Sequence, residues 1–196
     1  MEAQHGRVRV YIACSLDGFI AGVHDDLDWL TVPRAHRAPM AGGNWAERTS
    51  DALEYNDFMR DVGCLLMGRR TYDVVSGIGE WPYGDTPVIV ATSRPLDAAP
   101  ATVTTASAPI KNLITEAHEA AEGKDVYLDG GSLIRQALDA DQIDQIIVTQ
   151  VPTVLGRGHA LFAGADNARE LTVTDVLKFG PGMVQIHLMP IHDIAK

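Results

Sequence analysis

Three times in this chain a short buried apolar run stops at a junction rich in glycine or hydroxyl groups. Met67-Gly68-Arg69-Arg70-Thr71-Tyr72 follows the run at 64–67, Thr92-Ser93-Arg94-Pro95 ends the run at 88–92, and Asp129-Gly130-Gly131-Ser132-Leu133 ends the run at 125–128. Continuous apolar runs this short, bounded by turn signals, read as strands buried on both faces. Strands of that kind belong to a mostly parallel sheet covered by helices. Parallel neighbours need crossover connections, so this one feature excludes most other folds.

The rest of the chain agrees with that frame. Residues 8–14 read as a first strand, and Ser15-Leu16-Asp17-Gly18 reads as a turn because Asp-Gly favours positive φ. Residues 24–45 are irregular and rich in Asp, Pro, Gly and His. Residues 46–61 are expected to form a helix whose buried face carries Tyr55, Phe58, Met59 and Val62. A short helix is expected through Thr71, Val74 and Val75. A longer one carries Ile110, Leu113, Ile114 and Ala117, and a third, capped by Ser132, buries Leu133, Ile134, Ala137 and Leu138. Residues 143–151 read as a strand. Two more, 171–179 and 183–191, meet at Gly180-Pro181-Gly182 as a hairpin. The expectation is an α/β fold with a mostly parallel central sheet, helices on both faces and an antiparallel C-terminal hairpin.

Composition narrows the function. The chain has 196 residues, enough for one domain over 1–196, and 46% are apolar, enough for a sizeable core. The net charge of −10 argues against nucleic acid or an acidic membrane surface as the main partner. No apolar run reaches the roughly 18 residues of a membrane span, and the N-terminus has no export pattern, so a cytoplasmic protein is expected. The two cysteines, Cys14 and Cys64, read as reduced, buried thiols, and no metal-ligand spacing is present.

The three junctions suit anions. A helix start presents unpaired N–H groups and a positive dipole end, and the arginines add cationic forks. Each junction alone reads equally as a capped helix or a surface turn. Together they line up at the carboxyl ends of successive strands, where open α/β sheets collect ligands. No Gly-x-Gly-x-x-Gly follows the first strand, which disfavours a standard Rossmann site.

The order of these pieces resembles the dihydrofolate reductase superfamily, and within it the reductase (RibD C-terminal) domain of the riboflavin-biosynthesis deaminase-reductase. The carrying segments are 11–21 (YIACSLDGFIA), 66–72 (LMGRRTY), 92–96 (TSRPL), 127–132 (YLDGGS) and 152–162 with its Leu155-Gly156-Arg157-Gly158. The resemblance implies the three-layer dihydrofolate-reductase-like fold, NADPH as cofactor and hydride transfer to a small heterocycle, most specifically 5-amino-6-(5-phosphoribosylamino)uracil. It places Ala13 and Ile20 at the nicotinamide, and Gly68, Arg69, Arg70 and Thr71 at phosphates. Thr92, Ser93 and Arg94 fall at the adenosine 2′-phosphate, and Gly130, Gly131, Ser132 and Leu133 at the pyrophosphate. A cis Gly130–Gly131 bond and Thr149 at the pocket floor are also implied. The deaminase's zinc-binding His/Cys pattern is missing, so the resemblance implies a reductase alone.

On the substrate side, Asp17 follows the first strand beside the expected nicotinamide. Asp51 and Glu54 are the carboxylates expected on the helix preceding the 64–67 strand, with Asp51 one turn before Tyr55 on its buried face. Trp29, Glu54, Tyr55 and Phe58 are the candidate substrate contacts, and Asp17, Asp51 and Thr149 the candidate catalytic residues. A dihydrofolate or pteridine reductase and a non-catalytic nucleotide-binding protein on the same scaffold are the competing readings. The terminal hairpin offers an edge for a homodimer, again by analogy.

Overall fold

The structure is a computed structural model that describes residues 6–31, 51–180 and 182–191. An eight-stranded sheet is built from β1 (Val8–Ser15), β3 (Val62–Gly68), β4 (Val88–Ala91), β5 (Val103–Ala106), β6 (Asp125–Asp129), β7 (Gln145–Val151), β9 (Leu171–Lys178) and β10 (Val184–Pro190). Its spatial order is β5-β4-β3-β6-β1-β7-β10-β9. The six strands from β5 to β7 are parallel, and β10 and β9 close the edge antiparallel. A separate ribbon pairs β2 (Phe19–Ala21) with β8 (His159–Ala160).

Period-two alternation along the strands feeds two cores. Val8, Val10, Ile12 and Cys14 of β1 join Val126 and Leu128 of β6 beneath α4 (Ile110–Ala121) and α5 (Gly131–Asp139). The intervening residues face the other way. Tyr11, Leu65, Met67, Tyr127 and Ile147 pack with Phe58 of α2 (Tyr55–Arg60) and Tyr72 of α3 (Arg69–Gly77). This is the expected α/β architecture, with helices on both faces and the terminal hairpin in place.

Four local expectations are corrected. In the described part of 46–61 only Tyr55–Arg60 is helical, and Asp51 sits in an exposed turn. The cause is Gln185, fully buried on β10. Its Oε1 accepts the Leu53 N–H at 2.8 Å and its Nε2 donates to the Leu53 carbonyl at 2.8 Å, while the Tyr11 hydroxyl donates to the same carbonyl at 2.9 Å. With both backbone groups taken by side chains, residue 53 cannot join a helix. Gly130, not Ser132, is the N-cap of α5, at φ 94°, and no side-chain cap is present. The Gly130–Gly131 bond is trans, since no cis peptide occurs among the described residues. The start of the 24–45 stretch, expected to be irregular, holds part of a 3-10 turn (Val23–Asp25) and a short helix, α1 (Asp28–Thr31). The rest of the expected 24–45 loop and of the 46–50 helical stretch lies outside the described residues. Strands β2, β5 and β8 were unforeseen: β5 is an edge strand with a weak apolar signal, and the other two are two or three residues long.

Candidate functional site

The carboxyl ends of β4, β3 and β6 open into one cleft of about 960 Å³. One wall is the first turn of α3, with Gly68, Arg69, Arg70 and Thr71. The floor is Asp129 with the first turn of α5, Gly130, Gly131, Ser132 and Leu133. The facing wall is the β2–β8 ribbon and the segment after it, through Ile20, Ala21, Asp25, Leu27 and Leu30. Ala13 and Tyr11 of β1 line the cleft, and Thr92 reaches it from the end of β4.

Local chemistry explains why the floor is glycine. At Gly130, positive φ already disfavours a side chain, and a Cβ would collide with the Thr71 hydroxyl. At Gly131 a Cβ would come within 2.9 Å of the Ala160 carbonyl and 3.2 Å of Ile20 Cδ1. Backbone on α5 is therefore bared between two helix starts, the arrangement that binds anionic groups. Arg69 is oriented by Asp73 (2.7 Å) and by the Pro95 carbonyl (3.0 Å), which ties α3 to the turn after β4. Arg70 is held by Asp25 at 2.6 Å. Ser93 and Arg94 stand exposed just outside the cleft lining, where the Arg94 N–H donates to Thr92 Oγ1 at 3.1 Å.

The far end of the cleft is chemically different. Tyr11 and Tyr127 line it, and the Tyr127 hydroxyl donates to the Tyr11 carbonyl at 2.9 Å. Burial raises the Asp129 carboxyl to about 6, against the opposing pull of the Gly130 N–H that donates to Oδ1 at 2.7 Å. Thr149 is paired in register with Ala13 and with Gln185, on the face shared with Tyr11. It is buried, and its Oγ1 has no hydrogen-bond partner among the described residues. A buried hydroxyl in that state is costly, and Thr149, expected at the pocket floor, lies beneath the cleft and not in its lining.

Other anticipated residues are placed elsewhere. Phe58 is fully buried and packs on Tyr11 (4.9 Å) and Tyr127 (5.0 Å) behind the cleft, so it is a core residue and not a substrate contact. Tyr55 is half-buried beside Tyr11, with centroids 5.8 Å apart, and does not line the cleft. Glu54 is exposed at the N-cap of α2, and Trp29 is half-buried on α1 outside the lining. The Asp17 carboxylate accepts from Ser15 Oγ (2.7 Å) and from the Leu155 (3.1 Å) and Gly156 (2.7 Å) amides. It ties the turn after β1 to the loop after β7. The Ser15 hydrogen bond, with those amides, holds its carboxyl down at about 2. Trp81 and Tyr83 pack with the second core. Both cysteines are buried and unpaired, and burial pushes Cys14 up to about 11 and Cys64 to about 12. No metal-binding cluster of His, Cys, Asp or Glu occurs among the described residues, and no helix there is long and apolar enough to cross a membrane.

Sequence reasoning offered Asp25 as part of an acidic rim and His159 within a basic loop, and passed over Asp129 as a site residue. Asp129 had a signal, since an acidic residue closing an apolar strand beside two glycines is drawn part-way into apolar surroundings against its nature.

A mostly parallel α/β sheet with glycine-lined helix starts at one shared cleft is the arrangement in which open α/β proteins collect ligands. The model of the RibD C-terminal domain matches residues 7–185. The chain belongs to that family, on the dihydrofolate-reductase-like fold. It is 31% identical over 180 residues to the protein called uncharacterized protein YwjB of Bacillus subtilis (strain 168), covering 91% of this chain and 94% of that one. Among solved structures it is similar to a putative riboflavin biosynthesis protein from Shewanella sp. PV-4, at 27% identity and a TM-score of 0.75, covering 95% and 99% of the two chains. The fold is shared with the Thermotoga maritima diaminohydroxyphosphoribosylaminopyrimidine deaminase/5-amino-6-(5-phosphoribosylamino)uracil reductase. There the identity is 17%, the TM-score 0.63, and coverage 96% of this chain and 57% of that one. The family is thus of the riboflavin-pathway reductase type.

Proposed function

We propose that the protein is an NADPH-dependent reductase that transfers a hydride to a small heterocyclic substrate, of the 5-amino-6-(5-phosphoribosylamino)uracil reductase type. The observation that carries this is the single cleft onto which β3, β4 and β6 deliver Gly68 to Thr71, Thr92 and Gly130 to Leu133. Thr71 and Ala160 crowd out a Cβ at Gly130 and Gly131, which leaves the main chain at the start of α5 bare along the cleft, and these residues fit an extended dinucleotide. Gly68, Thr71, Gly130, Gly131, Ser132 and Leu133 would hold its phosphates with Arg69 and Arg70. Thr92, Ser93 and Arg94 would take the 2′-phosphate, and Ala13 and Ile20 would flank the nicotinamide. The cofactor, when bound, supplies the hydride.

The protein's share is orientation and the proton. Tyr11 and Tyr127 wall the substrate end, and Thr149 lies buried on the neighbouring strand, paired in register with Ala13. Asp129 supports a role as proton donor: Oδ1 receives the Gly130 N–H, leaving Oδ2 to carry a proton with an affinity suited to near-neutral transfer. Asp17, engaged by three hydrogen bonds, serves in this reading by positioning. The exposed turn at Asp51 removes the helix-face geometry that made it a catalytic candidate, while Asp129 also suits a pterin as a second substrate class. A homodimer would use the C-terminal hairpin, where Val173 and Val176 are exposed. The cytoplasm is the compartment expected for such an enzyme.

Titration with NADPH and NADH tests the cofactor. NADPH is expected to bind more tightly, with the preference falling on Arg94→Ala, and binding of neither would remove the reading. A screen of pyrimidine and pterin substrates, read as NADPH consumption, identifies the acceptor. Dihydrofolate turnover with no pyrimidine turnover would select the pterin reading.

A further inference from the structure

We infer that Asp25 is a built-in competitor for the anion site, occupying Arg70 until a phosphate of the ligand replaces it and releases the 22–31 segment. This rests on the dinucleotide reading above. The two residues lie on opposite walls of the cleft, 45 positions apart in sequence, and both line it. Arg70 Nε donates to Asp25 Oδ1 at 2.6 Å, and His159 Nε2 stands 3.5 Å from the same oxygen. The pair therefore bridges the cleft at the first turn of α3, where a phosphate would meet Arg70. A carboxylate and a phosphate oxygen offer the guanidinium the same kind of acceptor, and Arg70 has one Nε–H to give.

The segment that carries Asp25 is bent to reach across. His24 and Asp25 both have left-handed φ, 60° and 62°, which is uncommon for residues other than glycine. The bend is held by the Asp26 N–H donating to the Val23 carbonyl at 3.4 Å and by the Gly22 N–H donating to the Asp26 carbonyl at 2.9 Å. Leu27 and Leu30, on the same segment, line the cleft. Losing the Asp25–Arg70 tie would let these apolar side chains move with their segment while the ligand's phosphate takes over Arg70. Ligand binding and the seating of this wall are thereby coupled through one shared cation.

Asp25→Asn tests this cleanly, because asparagine tolerates left-handed φ and keeps the side-chain shape. The ion pair is partly exposed, with 60% of the Arg70 and 30% of the Asp25 side chain accessible. The expected gain in affinity is accordingly modest, about fivefold for NADPH and for inorganic pyrophosphate at low salt, shrinking as salt is raised. Arg70→Ala should weaken both ligands, and the double variant should bind as Arg70→Ala does. By hydrogen exchange, amides of 22–31 should lose protection in ligand-free Asp25→Asn. In the wild type they should likewise lose protection when pyrophosphate binds, and a gain would contradict the release. Unchanged or weaker binding by Asp25→Asn, with Arg70→Ala still impaired, overturns the competitor role. If neither ligand binds wild type or variants, it is the dinucleotide reading that has failed. The tie is then judged by exchange alone, and equal protection of 22–31 in wild type and Asp25→Asn rejects it.

Discussion

Strand β6 carries two aspartates on the same face, one at each end, and they live in opposite conditions. Asp125, at the amino end, accepts the Arg7 backbone N–H at 2.8 Å and the guanidinium groups of Arg7 and Arg9 at 3.0 Å each. Burial works against its charge, but Arg7 and Arg9 outweigh it and hold the carboxyl below its ordinary range. Arg9 is held in turn by Gln145 at 2.8 Å and by the Phe58 ring at 4.7 Å. Asp129, four residues on, accepts one N–H and is raised to about 6. The amino end of the sheet is a closed network that stabilises the fold. The carboxyl end leaves a carboxyl and bare glycine backbone under-satisfied, and such a surface is disposed to bind and react.

The strongest way to break this contrast is Asp129→Asn. Loss of a general acid should lower the hydride-transfer rate by about 10²–10⁴-fold and remove a decline of rate above about pH 6, read by single-turnover kinetics across pH. The same change should raise stability. A folded value above the unfolded one near 3.9 means the native state keeps a proton between about pH 4 and 6 that the unfolded chain has lost. Native stability thus falls as pH rises through that window, by roughly 2–3 kcal/mol, and the variant should lack that fall in urea titrations run from below about pH 4 to about pH 8.

At the other end, Arg9→Met should cost about 3 kcal/mol by leaving the buried Asp125 with Arg7 alone. Thermal melting should then drop by about 6–12 °C, with activity per folded molecule intact at 25 °C. An equal loss of activity would show that the two ends are coupled. Gly130→Ala is expected to weaken dinucleotide binding about tenfold, a loss of about 1.4 kcal/mol, through its collision with Thr71 and its positive φ. Calorimetric titration reads it, and wild-type affinity would mean that the ligand does not approach this floor.

The smallest effect is assigned to Asp17→Asn. The carboxyl is held down at about 2, so its tie to Leu155 and Gly156 is present above about pH 4 and lost as pH falls toward 2. The variant should speed exchange of those two amides and lower turnover only mildly. A loss as large as that of Asp129→Asn, with exchange unchanged, would make Asp17 the reacting carboxylate instead.

Most of the sheet was legible because its strands are continuous apolar runs and its helices repeat apolar residues at their own period. The three anion-friendly junctions were legible because glycine, hydroxyl and arginine cluster where those runs stop. The helix expected through Asp51 failed for a reason that local pattern does not contain. Gln185, 132 residues away in the chain, claims both backbone groups of Leu53. Phe58 was misjudged in the same way: helical periodicity shows that a face is buried, not whether it meets a cavity or a neighbour's ring.

Local sequence on its own determined the strand-and-helix alternation, the hairpin and the chemistry available at each junction, since those depend on residues close together in the chain. Tertiary structure decided which end of β6 would have a quenched carboxylate and which a proton-holding one, and it brought Asp25 across to Arg70. Charge, burial and hydrogen bonding act through space, and the partners that settle them lie on segments that only folding brings together.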